Sequence, residues 1–212
     1  TLDFAFQPIV NVNTGICLGF EALLRNYKKA GFSNIRDVFD HAFKEGYLYD
    51  FDLKLREKAI NKFVSLEFYK KCKLFYNLDN RVFLDKNYSD GNTSKLLDKY
   101  SLSPNNFTLE LSEKDEIEKY DEINNILDTY RMQNFKIAID DLGSGFSSLQ
   151  MFYHIEPNYI KIDRFFMKDI SYDIKKRLFV SKLVNLAHTI GIMVIAEGIE
   201  TTKDFYTCKE IG

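Results

Sequence analysis

Seven short apolar runs, mostly separated by stretches with helical periodicity, do most to restrict the folds open to this chain. The first two, Phe4 to Val12 and Ile16 to Leu24, flank the turn signal Asn13-Thr14-Gly15 and predict an antiparallel hairpin. Beyond it the pattern changes. Helical spacing at Ile35 to Glu45 and Asp52 to Phe68 leads to a strand at Lys73 to Leu78, a short helix at Thr93 to Tyr100 and a strand at Asn106 to Leu111. A longer helix follows, with Ile117, Tyr120, Ile123, Ile126, Leu127 and Tyr130 on one stripe. Strands at Phe135 to Ile139, Tyr159 to Ile162 and Ile192 to Ala196 then alternate with a short helix near Leu149 and a helix from Ile174 to Thr189 that Gly191 closes. Thr201 is placed to cap a last helix. Such alternation predicts an α/β protein with a parallel sheet, and strands this short and apolar predict a (β/α) TIM-like barrel with one antiparallel strand. A closed eight-stranded barrel takes about 250 residues. The 212 residues here are therefore expected to form one domain that lacks its last strand.

No Pro-, Gly- or Ser-rich linker divides the chain, and a formal net charge of −2 gives no pull toward DNA, RNA or an anionic membrane. No apolar run reaches the roughly 18 residues of a membrane span, and no signal peptide opens the chain. Cys17, Cys72 and Cys208 lack metal-ligand spacing and read as reduced packing thiols of a cytoplasmic protein. His41, His154 and His188 all fall in helical stretches and suggest packing or surface positions.

The chemistry is concentrated where strands end. In "IAIDDLGSGFSSL", Ile137 to Leu149, an apolar run stops at the adjacent acids Asp140 and Asp141, and Gly143 and Gly145 around Ser144 then allow a tight loop. Asp-Asp before Gly also suits an ordinary solvated turn, so this stretch alone does not define a site. The other strand ends carry Glu21, Asn77, Glu110, Lys161 with Asp163, and Glu197. Alternation sets Thr108 and Glu110 on the face opposite Leu109 and Leu111, and sets Tyr159 and Lys161 opposite Ile160 and Ile162. In a barrel these polar faces converge. Two carboxylates about 4 Å apart repel by roughly 4 kcal/mol at an effective dielectric near 20, so several together call for cations. Oxygen donors without His or Cys select hard ions such as Mg²⁺ or Mn²⁺, and two adjacent Asp could serve two ions in phosphoryl chemistry. Lys161 would orient water or offset phosphate charge with a lowered pKa, or else simply pair with a neighbouring acid.

The ordered motifs resemble the EAL domain family of cyclic di-GMP phosphodiesterases. They are "FQPIV" at Phe6 to Val10, "FEALLR" at Phe20 to Arg25, "YNLD" at Tyr76 to Asp79, "LELSE" at Leu109 to Glu113, "DDLGSGFSSL" at Asp140 to Leu149, "IKID" at Ile160 to Asp163 and "IAEGIET" at Ile195 to Thr201. The resemblance implies hydrolysis of cyclic di-GMP to linear pGpG with two Mg²⁺ or Mn²⁺ ions. It implies that Glu21, Asn77, Glu110 and Asp140 ligate one ion, that Asp140 bridges to a second, and that Asp141 helps hold the second. Glu21, Lys161 and Glu197 would be catalytic, with Lys161 or Glu197 positioning or deprotonating the water. Gln7, Arg25 and Asp163 would meet substrate. Glu113 and Glu200 would support the loop carrying Gly143, Ser144 and Gly145. The resemblance also implies a homodimer and regulatory domains outside this stretch. Leu142 and Phe146 stand where the family usually has Phe and Tyr, and the family's last strand lies beyond Gly212. The alternative is a catalytically silent cyclic di-GMP receptor, against which the full set of acidic and amide ligands counts.

Overall fold

The computed structural model describes residues 2–112, 120–143 and 148–212. Strands β1 (Asp3–Val10) and β2 (Cys17–Arg25) form the antiparallel hairpin, with Gln7 opposite Glu21. Then come α1 (Ile35–Lys44), α2 (Leu48–Phe63), β3 (Lys73–Leu78), α3 (Asn92–Lys99), β4 (Phe107–Ser112), α4 (Tyr120–Met132) and β5 (Lys136–Leu142). The rest is α5 (Ser148–Ile155), β6 (Tyr159–Ile162), α6 (Arg164–Met167), α7 (Ile174–Thr189), β7 (Met193–Ala196) and α8 (Thr202–Ile211). The seven strands pair in chain order, antiparallel only between β1 and β2.

Local chemistry accounts for the helix starts. Asn34 accepts a hydrogen bond from the Asp37 amide at 2.9 Å, Asp173 from those of Lys175 and Lys176, and Thr201 from that of Asp204 at 3.1 Å, so each occupies an N-cap. The predicted helix Asp52 to Phe68 is displaced at both ends. Its first turn begins at Leu48 because Leu48 and Tyr49 bury in the core, and it ends at the fully buried Phe63. Past that point the chain turns, and Phe68 lies exposed, off the apolar stripe. The single helical turn α6, capped by Asp163, gave no periodic signal because four residues are too few to show one.

The sheet separates two apolar layers. Leu74, Tyr76, Leu78, Leu109, Leu111, Ile137, Ile139, Ile160 and Ile162 face the helices in the large core. The alternate residues Phe75, Ala138 and Tyr159 form a small inner cluster with Ile9, Leu18 and Ile195. This is the alternation expected when helices cover one face of a sheet and the other face closes on itself. In a flat sheet β2 and β6 would lie roughly 19 Å apart. Instead Glu21 of β2 and Lys161 of β6 are 3.2 Å apart, which requires the sheet to curl.

A buried ion pair braces the outer layer behind β3. Asp52 and Arg56 of α2 pair with each other, Arg56 also reaches Thr93 of α3, and Asp52 accepts from the Tyr76 hydroxyl at 2.9 Å. The Arg56 guanidinium sits 5.7 Å from the Tyr76 ring centre. Cys17 and Cys72, distant in sequence, meet where β2 and β3 begin, and burial together with Cys17 pushes the Cys72 thiol up. All three cysteines are free.

Removing one partner of a buried pair strands the other charge without water. Arg56→Ala and Asp52→Asn are therefore each expected to cost about 3–5 kcal/mol, read as a lower urea midpoint.

Candidate active site

The inner face changes from a mainly apolar layer to a polar and charged one in one step along each of four strands. Phe75 gives way to Asn77, Thr108 to Glu110, Ala138 to Asp140 and Tyr159 to Lys161. At the centre lies the Lys161 ammonium, 1 % exposed, with Nζ 3.2 Å from Glu21, 3.0 Å from Glu110, 2.9 Å from Asp140 and 2.8 Å from Glu197. Side chains from β2, β4, β5, β6 and the residue after β7 thus meet at one point. Asn77 of β3 donates to Glu21 Oε1 at 3.0 Å, which fixes the carboxylate's orientation.

Two adjacent residues in a regular strand point to opposite faces. Asp140 and Asp141 escape this because the β5–β6 register shifts between Ile139 and Leu142, and Asp141 takes a positive φ of 56°. The chain here is a bulge. The strand accordingly runs through both acids to Leu142, instead of stopping before them as the sequence suggested. Glu21, Glu110 and Asp140 have carboxylate oxygens within 4.8 Å of one another, as do Asp140, Asp141 and Glu197, so Asp140 belongs to two acidic groups. Gly143 follows with a φ of 101°, and a Cβ there would strike the Phe166 ring.

Burial dominates the electrostatics. It pushes Glu110 well above the usual carboxylate range, and the Lys161 charge offsets only part of this. Asp140 is raised for the same reason, and Glu197 is raised to about 7. Burial also opposes charge on Lys161, but Glu110, Asp140, Glu21 and Glu197 together outweigh it and hold the ammonium protonated. This is the direction set by the carboxylates alone, whereas the lowered Lys161 pKa expected from the sequence belongs to a cluster that also holds divalent ions. Both Glu110 oxygens and Lys161 Nζ are buried without an aligned hydrogen bond, although the ion-pair distances are short. A cluster with such unaligned acids, built from carboxylate and amide oxygens alone, fits hard divalent cations, whose attraction needs no donor geometry.

Above the cluster opens a cleft of about 650 Å³, within the range of small-molecule sites. Gln7, Glu21, Asn77, Asp140, Asp141, Asp163 and Glu197 line it, whereas Glu110 and Lys161 form its buried floor. Asp163 also caps α6, accepting from the Phe165 amide at 2.7 Å. Arg25 does not line the cleft: its exposed guanidinium bonds the Leu24 carbonyl. Glu200 lies away from the acids and pairs with Arg164 at 2.6 Å. Arg164 does line the cleft, packed where a Cβ on Gly198 would collide with it. Glu113, Ser144, Gly145 and Phe146 lie outside the described residues. The sequence reading missed Arg36, Arg81 and Arg164 in the wall. Arg164 directly follows "IKID" and could have been found there, while Arg36 and Arg81 sit in a helix and a turn with no strand-end signal.

A family model described as the EAL domain matches residues 1–212. The bifunctional diguanylate cyclase/cyclic di-GMP phosphodiesterase MucR of Pseudomonas aeruginosa is 28% identical over 92% of this chain and 29% of its own length. Klebsiella pneumoniae BlrP1, solved as a manganese/cy-diGMP complex, is 28% identical with a TM-score of 0.83, covering 100% of this chain and 53% of that one. A standalone versatile EAL protein from Vibrio cholerae O395, in its c-di-GMP bound form, is 28% identical with a TM-score of 0.84, covering 100% and 87%. The chain spans about a third of the curated relatives it matches and about half of BlrP1.

The pKa directions fix a sign for stability. Glu197 is raised to about 7 when folded, so it favours the folded state below its unfolded value near 4.5, and this contribution is lost as pH rises through about 7. Melts in EDTA should show stability falling over that window, and Glu197→Gln should flatten the fall. Adding Mn²⁺ at pH 7 should raise the melting temperature in proportion to its logarithmic excess over Kd, and Asp140→Ala should abolish the rise.

Proposed function

We propose that this chain, which belongs to the EAL domain family, is a metal-dependent phosphodiesterase that opens cyclic di-GMP to linear pGpG. The observation that carries the reading is the convergence of Glu21, Glu110 and Asp140, from three separate strands, into one group, with Asp140 shared by a second group containing Asp141 and Glu197. Solved relatives hold cy-diGMP with manganese or calcium, which agrees with an all-oxygen site.

Glu21, Asn77, Glu110 and Asp140 would hold one divalent ion, and Asp140 and Asp141 a second, Mg²⁺ or Mn²⁺ in each case. When bound, such ions polarise the phosphodiester and make water a stronger nucleophile. The chain's own groups then have separable tasks. A water oxygen attacks phosphorus, the P–O3′ bond breaks, and the 3′ oxygen departs as an alkoxide that takes up a proton from solvent to become the 3′ hydroxyl. Glu197, which lines the cleft 2.8 Å from Lys161, is placed to take the water's proton. Lys161, held protonated on the floor, has no lone pair for that task. It keeps the carboxylates from repelling one another and maintains their spacing. Asp163, on the wall, caps α6 with one oxygen, and Gln7 opposite Glu21 faces the substrate. The homodimer and the regulatory domains remain part of the reading drawn from the family, and a cytoplasmic setting agrees with three free thiols.

Incubation with cyclic di-GMP and Mg²⁺ or Mn²⁺, followed by chromatography, should yield pGpG. Glu21→Ala and Asp140→Ala should each lower turnover by at least about a hundredfold while retaining the circular-dichroism spectrum, since neither side chain fills the core. Binding without product in the wild type would favour a silent receptor, and full activity in either variant would overturn the ligand set.

A further inference from the structure

We propose that Arg81 reads a guanine of the cyclic dinucleotide, donating to its O6 and N7 from the part of the cleft wall built by α1 and the turn after β3. The proposal rests on the substrate reading above and adds a specificity residue to it.

Arg81 lies in the turn Asn80–Leu84 and lines the same cleft as Glu21 and Asp140. Its Nε and Nη2 donate to the two oxygens of Asp79 at 2.9 and 2.6 Å, and Nη1 donates to Asp40 Oδ1 at 2.7 Å. The guanidinium plane rests 4.8 Å from the centre of the Phe43 ring. Three contacts and an aromatic face hold the fork before any ligand arrives, which lowers the ordering cost of binding. The side chain is nevertheless 26% exposed.

The donor inventory then specifies the ligand. Of five N–H groups, three go to Asp79 and Asp40, leaving one on each terminal nitrogen. A pair of donors on adjacent nitrogens matches the adjacent O6 and N7 acceptors of guanine. Adenine offers N7 beside an amino group, so one donor would face another donor. Phosphate is the weaker fit. Two carboxylates share one guanidinium, and Arg36, 72% exposed and 3.9 Å from Asp40, compensates little. A neutral base with two acceptors suits that balance better than a second anion. A cyclic dinucleotide also has a second guanosine to seat once one of its phosphodiesters lies over the carboxylates, and the α1 wall adds Phe39 and Ile35 for its base.

The test exchanges one atom of the ligand and one residue of the protein. Cyclic di-GMP and its 7-deaza analogue, in which C–H replaces N7, are titrated into wild type and Arg81→Lys in the presence of Ca²⁺. The wild type should bind the deaza analogue roughly tenfold more weakly than the parent. Arg81→Lys, which keeps the charge but loses the fork, should bind the parent roughly tenfold more weakly and the analogue no more weakly than that. A purely structural role for Arg81 would not erase the deaza penalty. Equal binding of both ligands by the wild type, or an undiminished penalty in Arg81→Lys, overturns the Arg81 assignment and leaves the substrate reading intact. If Arg81→Lys fails to fold, Arg81→Gln is titrated with the same two ligands, and an undiminished penalty there overturns the assignment. Wild type that binds neither ligand overturns the substrate reading and this proposal together.

Discussion

Everything at the mouth of this sheet depends on one ammonium among four carboxylates. Lys161 is almost wholly buried and sits within 3.2 Å of acids from β2, β4, β5 and the end of β7. Burying that many charges without compensation would cost more than the fold's own margin of stability. Lys161 therefore acts first as a structural cation that lets the acids approach, and the same approach creates a place for divalent ions. Structure and chemistry have the same origin here.

The sheet supplies that convergence with little room for error. Its inner face carries only a small apolar cluster, Phe75, Ala138 and Tyr159, directly below the ionic layer, whereas its outer face packs against a much larger core. The inner cluster packs beneath the carboxylates, and burial is the largest influence on the Glu110 and Asp140 pKa directions. Behind β3 the Asp52–Arg56 pair and the Tyr76 hydroxyl fix the strand that carries Asn77. A second buried ionic network thus stands one residue away from the site, on the opposite face of the same strand.

Much of this was legible in the residues. Period-two alternation in "LELS" and "YIKI" gave the correct face for Glu110 and Lys161, because both strands are regular. The hairpin was legible because Asn-Thr-Gly allows little else. The meeting of Asp140 and Asp141 on one side was not derivable from alternation, which sends neighbours apart; it needed the bulge, and the positive φ of Asp141 leaves no mark in a sequence. That four carboxylates come within contact distance of Lys161 is a tertiary fact that alternation alone does not give. Arg81, in a turn without periodicity, lines the cleft and left no signal of that in the pattern.

The one-turn helix α6 has a mechanical consequence. The loop after β5 leans on it through Gly143 against Phe166, and the loop after β7 through Gly198 against Arg164, each contact too close to admit even a methyl group. Asp141 stands near the end of β5, two residues before Gly143, and Glu197 directly precedes Gly198. Four residues of helix therefore serve as a common gauge block, seated against the backbone beside both jaws of the second acidic group.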